Sequence, residues 1–309
     1  MDKKPLLSKR VRLGLSLLVL LAFILFIQNY IGWMRLLSPW REVALPTLGL
    51  IMLQVLVSYA VRAQRLHDYF RVEIHGRFAL ALKLMLQHNL ANNFLPMRSG
   101  EVAFPVLMSR FFSIPLSRSM PALLWFRIFD LHTLVLLGLW VVGSQWLEPL
   151  PLGLVATAWL LLPWWLFLTN HWLLEKIGPD TEGRFKRLLH KILDGAPKQR
   201  GLLFRTWFWT LFNWLIKLLA FVWLLMLFAD IGIDQAMLGV IGGELTSVLP
   251  VHGIAGVGTY EAGIVAALMP FQISPETALG AAVNLHLFLL GVTLIGGALS
   301  LLLREKHVD

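Results

Sequence analysis

The chain has 309 residues, 57% of them hydrophobic and only 15% charged, with a mean hydropathy of +0.70. A soluble domain carries about 25% charged residues, so this composition excludes a surface made for water. The absence of cysteine excludes disulfides, thiolate metal sites and a cysteine nucleophile. The net charge of +9 does not point to nucleic acid, because the basic residues stand in short segments between apolar runs.

In chain order, a basic start leads into the apolar run Val11–Gln28, which reaches a Trp-rich turn without a small-residue cleavage site. It reads as a retained first helix rather than a signal peptide. A span needs about 20 apolar residues. Val43–Val61, Met120–Val142, Leu152–Asn170, Trp207–Phe228 and Thr277–Leu303 meet that length and bring the expected spans to six. Thirteen tryptophans suit a chain with two membrane–water interfaces to line. Phe78–Phe112 and Met237–Met269 are too long for one helix, and each is broken near its middle by Pro and Gly.

The connecting segments orient these spans. Met1–Arg12, Arg62–Arg77, the flanks of the first broken region, the loop Trp172–Thr206 and the C-terminal tail together hold 22 of the 27 basic residues. The alternate connections carry Arg35, Arg41, Glu148, Asp230 and Asp234. By the positive-inside rule both termini are expected on the cytoplasmic side. The loop Trp172–Thr206 places Phe185, Leu188, Leu189, Ile192 and Leu193 at one-face helical spacing. Such a segment fits either the inner-leaflet surface or a plain connector.

Orientation then constrains the broken regions. The first is entered and left on the basic side, the second on the opposite side, so both are expected to be re-entrant hairpins dipping in from opposite faces. Each lies between two full spans, giving halves of about 43–142 and 207–303 with the same element order. The expected fold is an all-α polytopic membrane protein, a single integral membrane domain over 1–309 built as inverted repeats around broken helices.

Irregular backbone at membrane depth must line a polar cavity or be buried in protein. Pro96 and Gly100 break the first region, and Pro250, Gly256 and Gly258 the second. Around the first stand His88, Asn89, Asn92, Asn93, Arg98, Ser99 and Glu101; around the second, Glu244, Thr246, Ser247, His252, Thr259, Tyr260 and Glu261. Helix N-termini after the breaks offer free N–H groups to an anion. Arg127 and Asp130 stand three residues apart on one span, close enough to pair. Lys217 has no acidic residue near it on its own helix and needs Glu261, Glu244, Glu101 or an anionic ligand. Asn284 and His286 in the last span are weaker signals and fit hydrogen-bonded core positions. No HExxH, GxSxG or P-loop is present, so neither catalytic residues, nor a metal, nor a cofactor is expected.

The stretch Asn92-Asn93-Phe94-Leu95-Pro96-Met97-Arg98-Ser99-Gly100-Glu101 resembles the first signature of the lysylphosphatidylglycerol synthase transmembrane family, also called the flippase-like family. Leu249-Pro250 followed by Gly256-Val257-Gly258 and Glu261 resembles its second signature, and Arg127 with Asp130 its charged pair. Phe126 departs from the family by standing where an acidic residue commonly precedes the Arg, as do Asn284 and His286 where an Arg is common. The resemblance implies a module that binds or moves a lipid, such as an anionic phospholipid or a polyprenyl-linked lipid. No soluble aminoacyltransferase domain follows the last span before Asp309, so lipid aminoacylation is not expected.

The sequence therefore leads to a non-enzymatic lipid transporter, with an anionic head group bound between the hairpins by Asn92, Asn93, Arg98, Glu101, Arg127, Asp130, Lys217, Glu244, His252 and Glu261. Two alternatives stand beside it. One is an accessory subunit of a membrane glycosyltransferase or lipid-modifying enzyme, alone or as a homo-oligomer. The other is an intramembrane enzyme acting on a lipid phosphate.

Overall fold

The structure is a computed structural model that describes residues 9–95, 100–178, 183, 186, 189–190, 192–193, 195–248 and 254–303. Arg98 and Pro96, and likewise Pro250 and His252, lie outside the described residues.

Long apolar runs can satisfy their backbone groups in lipid only as helices, and no strand occurs among the described residues. The elements are α1 (Lys9–Tyr30), α2 (Trp33–Leu37), α3 (Leu45–Tyr69), α4 (Arg71–Ile74), α5 (Phe78–Phe94) and α6 (Ala103–Phe112). They continue with α7 (Leu116–Gly143), α8 (Pro149–Ile177), α9 (Arg200–Phe228), α10 (Ile233–Val248), α11 (Thr259–Leu268) and α12 (Pro275–Leu302). Five of them, α3, α7, α8, α9 and α12, contain stretches long and apolar enough to cross a membrane. A sixth crossing is formed if Leu20–Tyr30 and Trp33–Arg41 count together, across a bend of 86°. The bend falls at Gly32, whose φ of +85° belongs to the left-handed region that glycine enters freely. The protein is thus an all-α polytopic membrane protein.

Lipid exposure differs among the crossings. Only 11% of the apolar window of α8 is buried against protein, compared with 50% for α12. The faces of α8 bearing Leu154, Leu161, Trp165 and Leu168 therefore need hydrocarbon, while α12 is half covered by protein.

The two broken regions each fold as a pair of helices too short to span. α5 and α6 have 17 and 10 residues, α10 and α11 have 16 and 10. At a rise of 1.5 Å per residue even the longest reaches only about 25 Å, short of a hydrocarbon core of roughly 30 Å. Their neighbours match too: α3 and α7 have 25 and 28 residues, α9 and α12 have 29 and 28.

Glycines permit the close approaches within the pairs. An added Cβ at Gly242 would lie 2.4 Å from the Gly263 carbonyl oxygen and 2.8 Å from the Ala267 Cβ, so α10 and α11 cross backbone to backbone. A Cβ at Gly100 would meet the backbone of Ala91 and Asn92 at 2.4 Å, which packs the end of the first break onto α5.

One expectation is corrected. Arg62–Arg77 was counted as a basic loop, but α3 continues to Tyr69 and carries Arg62 and Arg65 inside it. Arg65 is only 2% exposed. A guanidinium tolerates this burial when a carboxylate and further acceptors receive it, and both are present.

The chain forms two compact units. One comprises Met1–Gln54, His88–Glu101 and Leu218–Gly297, the other Val55–Gln87, Val102–Lys217 and Ala298–Asp309. In the first, Ile27, Leu36 and Val283 form a core with Phe23, Trp33 and Leu279 packed on it. In the second, Leu66, Phe70, Leu84, Phe104, Met108 and Phe126 are central. The described part of the 172–206 connector is fastened to this second unit. Ile192 and Leu193 give their carbonyls to Trp125 Nε1 (2.8 Å) and Asn170 Nδ2 (3.2 Å).

Candidate functional site

Asp130 lies midway along α7 and is 2% exposed. A bare carboxylate at such a place is untenable, since isolated ionic burial costs far more than folding stability affords. Arg65 Nη1 donates to Asp130 Oδ1 at 2.7 Å and also to Thr210 Oγ1 at 2.8 Å. Trp214 Nε1 donates to the same Oδ1 at 3.2 Å, and Arg127 Nη1 to Oδ2 at 3.3 Å. The expected Arg127–Asp130 pair therefore exists, but the closer and more deeply buried partner is Arg65 from another helix. Arg62 adds a third guanidinium to the electrostatic surroundings of Asp130. The Phe126 ring lies under the Arg65 guanidinium, 4.5 Å from its centroid, where an aromatic face supplies cation–π attraction.

Asp68 ends this polar seam, taking Trp209 Nε1 at 2.7 Å and Gln64 Nε2 at 3.0 Å. On α9, Lys217 rests its ammonium over the Trp214 ring at 5.0 Å. One turn earlier, Asn213 is 2% exposed and its Oδ1 has no hydrogen-bond partner among the described residues. The second unit thus gathers Arg62, Arg65 and Arg127 around one carboxylate, with Lys217 one turn from Asn213.

The first unit holds a different set. At the end of α5, His88 and Asn89 are 0% and 4% exposed. Glu101 brings its Oε2 to 4.0 Å from His88 Nε2. Asn93 Nδ2 donates to Thr293 Oγ1 at 2.8 Å, while the Asn92 Oδ1 is buried without a hydrogen-bond partner among the described residues.

The second break turns through three left-handed residues: Ala255 at φ 54°, Gly256 at 73° and Gly258 at 84°. Left-handed backbone suits glycine but strains alanine by about 1–3 kcal/mol, and surrounding structure must hold it. Part of that hold comes from Glu261, whose Oε2 accepts the Gly258 N–H at 2.8 Å and caps α11. The chain's own carboxylate thus takes the N–H of the residue that caps α11.

Glu261 Oε1 lies 2.7 Å from His286 Nδ1. Glu244, 1% exposed, accepts Tyr260 Oη at 3.3 Å and Ser247 Oγ at 3.2 Å. The last span binds both breaks: His286 engages Glu261, and Thr293, two turns further along the same face, engages Asn93. Asn284 ties the same helix to the first bend, accepting Trp40 Nε1 and donating to the Leu36 carbonyl, each at 2.8 Å. Asn284 and His286 are the buried, hydrogen-bonded residues that the sequence leads one to expect, whereas Arg65 stands in a run of basic residues that resembles a loop.

Apolar crossings, helix pairs too short to cross, and buried ionic side chains at their breaks define a membrane module of the broken-helix class. The family model described as the lysylphosphatidylglycerol synthase TM region matches residues 13–297. The chain belongs to that family, and is a membrane protein of lipid-related type. No curated protein and no solved structure matches it.

Proposed function

We propose that the protein is a flippase-like lipid transporter of a bacterial inner membrane, with both termini cytoplasmic, that handles a lipid with an anionic head group. The observation that carries this reading is the gathering of three guanidinium groups, Arg62, Arg65 and Arg127, about the buried Asp130 within apolar helices. Intramembrane charge is costly and marks function by default. Arg65 is spent on Asp130 and Thr210, whereas the Arg127 side chain keeps 18% of its surface accessible. A phosphate is a guest whose charge and oxygen geometry suit guanidinium groups. The family supports a lipid as the bearer of that phosphate.

The broken pairs supply the moving parts. Matching helix lengths in α3–α5–α6–α7 and α9–α10–α11–α12 support an inverted repeat of two re-entrant hairpins, and alternating access follows by rocking one repeat against the other. The protein acts here as a transporter without its own chemistry. The test uses proteoliposomes of phosphatidylethanolamine containing fluorescent phosphatidylglycerol, with dithionite quenching the outer leaflet. The wild-type protein is expected to make inner-leaflet label reachable, and Arg127→Gln to slow this by tenfold or more. Quenching equal to that of protein-free vesicles contradicts the reading.

A further inference from the structure

The lipid reading leaves one enclosed titratable pair without a task. Glu261 is 2% exposed and His286 4%, and their facing atoms stand 2.7 Å apart. The groups around them come from three helices. α10 contributes Glu244 and Ser247, α11 contributes Tyr260 and the Gly258 N–H at its start, and α12 contributes His286 itself. The Tyr260 ring centroid is 4.7 Å from that of the imidazole. Among the described residues, no lysine or arginine forms an ion pair with the Glu261 carboxylate.

The Glu261–His286 pair is wired to the break that precedes α11. The carboxylate that faces the imidazole through Oε1 holds the cap of α11 through Oε2, three residues after the strained Ala255. Charge on Glu261 therefore strengthens the cap, because hydrogen bonds to an ionised acceptor are roughly twice as strong as neutral ones. Neutralising Glu261 weakens the side-chain bond that fastens Gly258.

We propose that Glu261 and His286 form a proton-exchange site whose occupancy sets the state of the second break, and that, on the lipid-transport reading, it couples lipid movement to a proton gradient. In the holding state the pair shares one proton, as glutamate with imidazolium. A proton from one compartment adds to Glu261, giving a carboxylic acid beside the imidazolium and one net positive charge. The weakened cap lets the Ala255–Gly258 turn rearrange, and the same proton leaves to the other compartment. The loaded site gains one positive charge, which offsets the single negative charge of a phosphodiester head group.

The proton site is tested without any substrate. Infrared difference spectra of the full chain in nanodiscs, taken between about pH 8 and pH 5, are expected to show a protonated-carboxyl stretch that is absent in Glu261→Gln. His286→Gln, which reads the same pair if Glu261→Gln does not fold, is expected to shift that stretch. No such stretch, or one that survives Glu261→Gln unchanged, overturns the proposal. Coupling is read separately in vesicles of phosphatidylethanolamine with fluorescent phosphatidylglycerol, where an imposed pH gradient is expected to change the wild-type rate several-fold. Lipid movement indifferent to the gradient overturns the coupling. Absence of lipid movement sinks the transport reading instead, and the infrared result still decides the proton site.

Discussion

His286 Nδ1 and Glu261 Oε1 are 2.7 Å apart, joining the last span to the helix that follows the second break. Both side chains are almost fully enclosed. Removing one partner of a buried ionic pair costs about 3–5 kcal/mol, because the other is left charged and dry. His286→Ala is therefore expected to lower the thermal midpoint in detergent more than the double variant His286→Ala/Glu261→Gln does. A double variant less stable than the single one would show that the pair does not act as a unit.

Arg65 and Arg127 share Asp130 but are predicted to fail differently. Arg65 gives Asp130 its shortest bond and reaches Thr210 as well. Arg65→Ala is expected to cost about 3–5 kcal/mol, seen as lost yield and early thermal aggregation. Arg127, at 3.3 Å and partly accessible, is less important for folding. Arg127→Gln is expected to fold with a nearly unchanged midpoint and to lose lipid handling.

Gly242 tests the α10–α11 crossing. A Cβ there meets a carbonyl oxygen at 2.4 Å, and backbone cannot rotate away as a side chain can. Gly242→Ala is expected to destabilise by about 1–3 kcal/mol, the usual range for overpacking. Gly280→Ala on α12, with nothing within 4 Å, is the control and is expected to be neutral or slightly stabilising.

The re-entry of both pairs is open to labelling, since the chain has no cysteine of its own. Leu95→Cys and Val257→Cys sit beside the two breaks without requiring a left-handed cysteine. Re-entrant hairpins predict that each is reached by an impermeant thiol reagent from the side its pair enters. Labelling of both only from the opposite side would mean that the pairs cross fully.

How much of this was legible beforehand depended on whether a signal was local. Apolar runs, Pro/Gly breaks and the i,i+3 spacing of Arg127 and Asp130 are written in adjacent residues, and all of these recur in the fold. Arg65 lies 65 positions before Asp130 and inside a basic stretch. Charge counting assigned it to a loop because a buried arginine and a loop arginine look alike without the partner. Lys217 is expected to meet Glu261, Glu244, Glu101 or an anionic ligand; of these, Glu261 is engaged by His286 and Gly258. His286 reads from the sequence as a hydrogen-bonded core residue, but its partner stands 25 positions away on another helix and only the fold identifies it. Phe126 shows the same limit: its part in holding Arg65 is visible only once the guanidinium is seen above its ring.

The central claim is that this buried, cation-rich cluster serves an anionic lipid. Native mass spectrometry of the protein released from a mixture of phosphatidylethanolamine and phosphatidylglycerol tests it most directly. The account predicts that phosphatidylglycerol stays bound to the wild type in preference to phosphatidylethanolamine, and that Arg127→Gln abolishes the preference. Equal retention of the two lipids by the wild type, or a preference untouched by Arg127→Gln, would contradict it.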